Sequence, residues 1–168
     1  MNVQTSMSSI EGKPDIPNIA LPASDKLRDA HVFRSELIDI FSEIEMWIVR
    51  KIEKHEPDVA GKKPLGQKLA VIQKLTENDH PIFKNPARVR RLLDLLQPFA
   101  DLRAELAHST LTILSTTQKG DIVVYQNANE SNHPVVNKRG YLTTGQMKHY
   151  LKRTGQICAQ LKLLETCK

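Results

Sequence analysis

Arg103 and His108 are the two side chains whose pairing carries a recognisable chemistry in this sequence, with four residues between them in Asp101-Leu102-Arg103-Ala104-Glu105-Leu106-Ala107-His108-Ser109-Thr110. An imidazole titrates near neutrality, so it takes and returns protons at physiological pH. A guanidinium presents a fixed fork of donors to phosphate oxygens, which an ammonium holds with less geometric control. On an unbroken helix after Pro98, with Phe99, Leu102 and Leu106 turned to the core, Arg103 lies about 40° off the core direction and His108 on the opposite side. Five residues are about 140° of rotation, so the pair flanks an outer surface and one copy of the chain makes a poor site. Two copies packed through Ala104, Ala107 and Leu111 bring two Arg and two His into one cleft. Glu105 and Ser109 are the neighbours expected to orient the imidazole.

Other constellations fail on spacing. The six histidines (His31, His55, His80, His108, His133 and His149) do not pair with one another or with a cysteine at ligand spacing, and no His-Glu-x-x-His run exists, so no metal or other cofactor is expected. Pro64-Leu65-Gly66-Gln67-Lys68 lacks the first glycine and the Lys-Ser/Thr pair of a phosphate loop and reads as a loop entering a helix. Cys158 and Cys167 fall in one expected helix, about 13 Å and half a rotation apart, so they are read as free thiols, with Cys158 in the core.

The elements that carry these residues follow from apolar spacing and breakers. Met1 to Pro22 holds three prolines and no periodicity, and is expected to be a flexible arm before a single domain over 23–168. Ser24 and Asp25 open a long helix with a stripe through Ala30, Leu37, Phe41, Ile44, Ile48 and Ile52, widened by Phe33, Ile40 and Trp47, and halted near His55 by Pro57 and Gly61. Leu65, Leu69, Ile72 and Leu75 mark a short second helix that stops by Asn78. Asn85-Pro86 caps a third, with a core side from Val89 to Ile113 and a kink or break at Pro98. Between Ser115 and Leu142, Ile122-Val123-Val124-Tyr125 reads as a strand, with Val135-Val136 as its expected partner. Thr143 or Thr144 caps a last helix that buries Met147, Tyr150, Leu151, Thr154, Ile157, Cys158, Leu161 and Leu164. The expected fold is all-α, a four- to five-helix bundle with a small β-like hairpin insertion over 115–142 before the last helix.

Within that bundle, the run Arg103-Ala104-Glu105-Leu106-Ala107-His108-Ser109 resembles the signature of the HEPN superfamily, the "higher eukaryotes and prokaryotes nucleotide-binding" domains, in which an Arg precedes a His by four to six residues. Helix order and the position of the excursion extend the resemblance coarsely over Ser24 to Leu164. The resemblance implies a dimeric, metal-independent endoribonuclease with a composite site, in which Arg103 and His108 are catalytic, set in bacterial defence or a toxin–antitoxin pair. The alternative to that leading reading is a catalytically inactive module that dimerises or binds a protein partner or antitoxin. Ala104 stands where many active members carry a polar residue, and Thr110 where toxin members carry Tyr, which favours the alternative.

Composition is compatible with an RNA partner. The 168 residues carry a net charge of +5. It is unevenly spread, with Met1 to Glu56 at −3 and Pro57 to Lys168 at +8. Arg88, Arg90 and Arg91 cluster at the start of the third helix, and Lys148, Lys152 and Arg153 on the last; these are weak candidates for an RNA backbone. Only 5% of residues are aromatic, which excludes a broad base-stacking surface. No apolar run approaches the roughly 20 residues of a membrane span, and Met1 to Pro22 has no basic-then-apolar start, so a cytoplasmic location and no membrane partner are expected.

Overall fold

Ala23–Ile52 forms α1, and its apolar stripe explains its place at the centre of the molecule. Phe33, Leu37, Phe41, Ile44, Ile48 and Ile52, spaced three or four apart, are all buried, and so is Trp47 beside them. The structure is a computed structural model that describes residues 23–53, 55–78, 80–116, 120–127 and 139–166. The expected arm Met1 to Pro22, the Val135-Val136 strand, His133 and Cys167 lie outside the described residues.

Pro57 ends α1 but does not begin a loop. Glu56 takes a non-helical conformation, as a residue before proline prefers, and Pro57 then serves as the first residue of α2, Pro57–Lys62, which buries Ala60. α3, Leu65–Glu77, buries Leu69 and Ile72. It also buries Lys68, whose ammonium reaches Glu45 on α1 at 2.6 Å. α4, Pro86–Ala107, starts on Asn85, whose side chain accepts from the Arg88 amide at 3.0 Å. Of the kink or break expected at Pro98, the break is absent: the helix runs on, and Pro98 and Asp94 are both exposed, so water can satisfy the Asp94 carbonyl that loses its helical partner.

The largest correction comes after α4. The helix does not continue to Ile113: it ends at Ala107, with His108 as its C-cap, and Ser109–Thr116 is a strand, β1. Ile113 lies two helical turns from Leu106 and two residues from Leu111, so it satisfies a helical and a strand period at once. The β-branched Thr110, Thr112 and Ile113 decide for the strand. β1 pairs antiparallel with β2, Gly120–Asn127, which pairs with β3, Arg139–Thr143, so the excursion is a three-stranded meander and not a hairpin confined to 115–142. Its register sets Leu111 opposite Tyr125, Ile113 opposite Val123, and Val123 opposite Leu142. Leu111, Val123 and Leu142 are buried on the inner face, while Leu114 and Tyr141 stand exposed on the outer one.

Thr143 is the cap of α5, Thr144–Thr166. Its hydroxyl accepts from the Gln146 amide at 3.2 Å while the Gln146 side chain accepts from the Thr143 amide at 2.8 Å, a reciprocal capping box. α5 packs most extensively on α1, burying Ile157, Cys158 and Leu161, and α3 and α4 close the bundle. The chain is thus mostly helical with one small antiparallel sheet. Among the described residues no helix is long and apolar enough to cross a membrane.

Candidate functional site

The C-terminal end of α4 and its C-cap hold the sequence-predicted pair. Arg103 is half-buried on the core-facing side of α4, and its Nε is shut off from solvent with no hydrogen-bond partner among the described residues. His108 is exposed. As C-cap it leaves the helix at φ −113° and ψ 8°, and its amide reaches the Leu106 carbonyl. Among the described residues no hydrogen bond or ring contact joins the guanidinium to the imidazole.

Glu105 and Ser109 belong to a neighbouring network. The Tyr125 hydroxyl on β2 donates to the Glu105 carboxylate, and burial, reinforced by that negative charge, pushes the Tyr125 phenol above its ordinary range. The Ser109 hydroxyl is buried and donates to the Glu105 carbonyl, while its own carbonyl accepts from Arg34 Nη1 on α1 at 3.1 Å. These bonds fix the α4–β1 turn from three sides. Of the residues expected to seat a second copy, Ala104 is exposed and Ala107 half-buried, but Leu111 is 8% exposed inside the chain's own core. A strand at 109–116 turns it inward, where a helix would have turned it out.

The basic residues separate into distinct surroundings. Arg88 and Arg91 of α4 and Arg153 of α5 line one cleft of about 520 Å³, together with Ala87, Leu92, Leu95, Ile157 and Gln160. Arg90 turns away and meets Glu77 of α3 at 3.6 Å. Lys148 lies in another groove, between α1 and α5, with Asp29 and Glu36 in its lining. Lys152 is exposed. Lys148, Lys152 and Arg153, expected on one side of the last helix, do not share a side: Arg153 follows Lys148 by five residues, about 140° around α5.

Sequence reasoning missed one pair. His55 and His80 meet edge to face with ring centroids 4.5 Å apart, and the His80 ring accepts from the Ile82 amide at 3.3 Å. No spacing signal links residues so distant in the chain. Among the described residues no group of three or more His, Cys, Asp or Glu side chains is placed to hold a metal ion. Cys158 is buried, as expected, beside the Glu43 carboxylate at 3.5 Å, and burial is the main cause that raises its thiol pKa.

Comparison with known proteins returns no matching family model, no matching curated protein and no matching solved structure.

Proposed function

We propose that this chain is a HEPN-like module that cleaves RNA without a metal, acting as a dimer. The observation that supports it is the state of Arg103: a half-buried guanidinium whose Nε has no partner among the described residues, five residues before an exposed imidazole. Leaving a buried donor unsatisfied costs about 1–3 kcal/mol, so Arg103 Nε calls for a partner such as a ligand, an ion or a water. In the reaction, His108 takes the proton of a ribose 2′-hydroxyl as its oxygen attacks the adjacent phosphorus. Arg103 holds the phosphate oxygens as charge grows on them. The 5′-oxygen leaves with a proton from an imidazolium, supplied by the second copy, and the products are a 2′,3′-cyclic phosphate and a 5′-hydroxyl.

The second reading is an inactive dimerisation or partner-binding module. Ala104 favours it, as does the engagement of Glu105 with Tyr125 and of Ser109 with the Glu105 carbonyl, which leaves neither side chain committed to the imidazole. Incubation of a mixed RNA pool in EDTA with wild type, His108→Ala and Arg103→Gln, followed by end-group analysis, separates the two. Cyclic-phosphate ends from wild type alone establish the nuclease; equal products from all three, or none, leave the binding module.

A further inference from the structure

The cleft between α4 and α5 has the makings of a second site, distinct from the Arg103 and His108 pair. Arg88 and Arg91 lie one turn apart on the opening of α4, and Arg153 faces them from α5. No carboxylate is among the residues that line the cleft, and among the described residues none of the three guanidinium groups makes an ion pair. Arg90, between two of them in sequence, shows the contrast: it turns to Glu77. Three like charges in one concavity repel, and the N-terminal end of α4 adds its own positive potential there. An anion relieves both.

The remaining lining narrows the class of anion. Leu92, Leu95 and Ile157 give the cleft an apolar floor, Leu95 being 37% exposed, and Gln160 adds one amide. A bare inorganic ion uses the arginines and leaves the exposed side of Leu95 uncovered. A cleft of about 520 Å³ holds a body of nucleotide size. Arg suits both parts of such a ligand, since its planar fork grips phosphate and its face stacks on rings.

We propose that this cleft binds the phosphate of a nucleotide unit, with its base or sugar over Leu92, Leu95 and Ile157. Arg91 and Arg103 are twelve residues apart, about 18 Å along α4, so the cleft lies outside the proposed cleavage site. The inference goes beyond that reading and does not depend on it. The phosphate is either a diester in an RNA strand or the ester of a free nucleotide.

The test uses the full chain, a labelled single-stranded 2′-O-methyl RNA decamer, AMP and ATP, with inorganic phosphate as competitor. The decamer lacks the 2′-hydroxyl nucleophile, so it stays intact whether or not the chain is a nuclease. Arg91→Gln and Arg153→Gln are each expected to weaken binding about tenfold, the loss of one charge-assisted hydrogen bond, with circular dichroism unchanged. Arg90→Gln is expected to stay within about twofold, being outside the cleft. For the strand, each cleft variant also lowers the slope of log affinity against log salt by about 1. Saturable binding of the decamer but not of AMP or ATP identifies the strand as the source; nucleotide binding as tight as the decamer's identifies the free ester. Absence of saturable binding to all three ligands overturns the proposal, as does an Arg90→Gln loss equal to that of Arg91→Gln. Decamer binding that neither Arg91→Gln nor Arg153→Gln weakens overturns the cleft and leaves the nuclease reading standing; a cleft effect in a chain that releases no cyclic-phosphate ends overturns the nuclease reading and leaves the cleft.

Discussion

Arg34 Nη1 donates to the carbonyl oxygen of Ser109 at 3.1 Å, joining the central helix to the residue that directly follows His108. The other guanidinium nitrogen lies 3.1 Å from His31 Nδ1 on the same helix, which holds the Arg34 side chain in place. The exposed imidazole therefore sits on a turn whose next residue is clamped by α1 and by the Ser109 hydroxyl bond to Glu105. Arg34→Ala removes the charged donor from a partly buried carbonyl and is expected to cost about 1–3 kcal/mol. A lower urea midpoint at unchanged slope checks it. In the nuclease reading the same variant lowers kcat more than it raises KM.

Gly140 is required by Tyr125. The two are paired across β2 and β3, and the tyrosine ring occupies the space that a β-carbon at 140 would need. Gly140→Ala must push the ring aside or shift the strand, at about 1–3 kcal/mol. Tyr125→Leu in the same chain is expected to recover part of that loss, giving a non-additive cycle in thermal or urea unfolding.

The elements legible in the sequence are those with a local chemical signature. Asn85-Pro86 begins α4, Thr143, one of the two expected caps, begins α5, and the α1 stripe lies where its spacing puts it. α2 was hidden because Pro57 both stops one helix and starts the next. β1 was hidden because Leu106, Leu111 and Ile113 fit two periods, and only the pairing with β2, a non-local partner, resolves them. The arginine cleft was hidden for the same reason: Arg153 joins Arg88 and Arg91 only through the packing of α5 on α4.

Alkaline pH should destabilise the fold through the buried Cys158 and the half-buried Tyr125. Burial raises the Cys158 thiol, and burial with the Glu105 carboxylate raises the Tyr125 phenol. In both, the protonated form is favoured by the folded state. Their contributions are complete below the unfolded pKa values, about 8.5 for Cys and about 10 for Tyr, and are lost as pH rises through the higher folded values. A melting temperature that declines from about pH 8.5 upward is expected, with Cys158→Ala flattening the first part and Tyr125→Phe the second. A native thiol slow to react with a disulfide reagent at neutral pH checks the same burial.

The buried Lys68 is held by Glu45 at 2.6 Å, and the two partners should respond unequally to removal. Glu45→Ala leaves an ammonium at 6% exposure without its counter-charge and is expected to cost about 3–5 kcal/mol, less whatever water reaches the Glu45 side. Lys68→Met removes the charge and keeps the volume, so it is expected to be near neutral or stabilising. Equal losses in thermal unfolding would contradict this reading of the pair.

The composite character of the proposed cleavage site makes a quantitative demand on mixtures. His108 and Arg103 are about 140° apart around α4 and share no hydrogen bond among the described residues, so in the nuclease reading a chain works only with a competent partner. Wild-type chain is held at one concentration and His108→Ala chain is added, with time for subunits to exchange. If a site needs an imidazole from each copy, only pairs of two wild-type chains are active. At nine variant chains per wild-type chain, about a tenth of the wild-type chains find a wild-type partner, and cleavage falls to about a tenth of its starting rate. If one chain carries a complete site, the rate does not change. A tenfold fall that disappears when the variant also carries a substitution abolishing its dimerisation would assign the loss to pairing and not to competition for RNA.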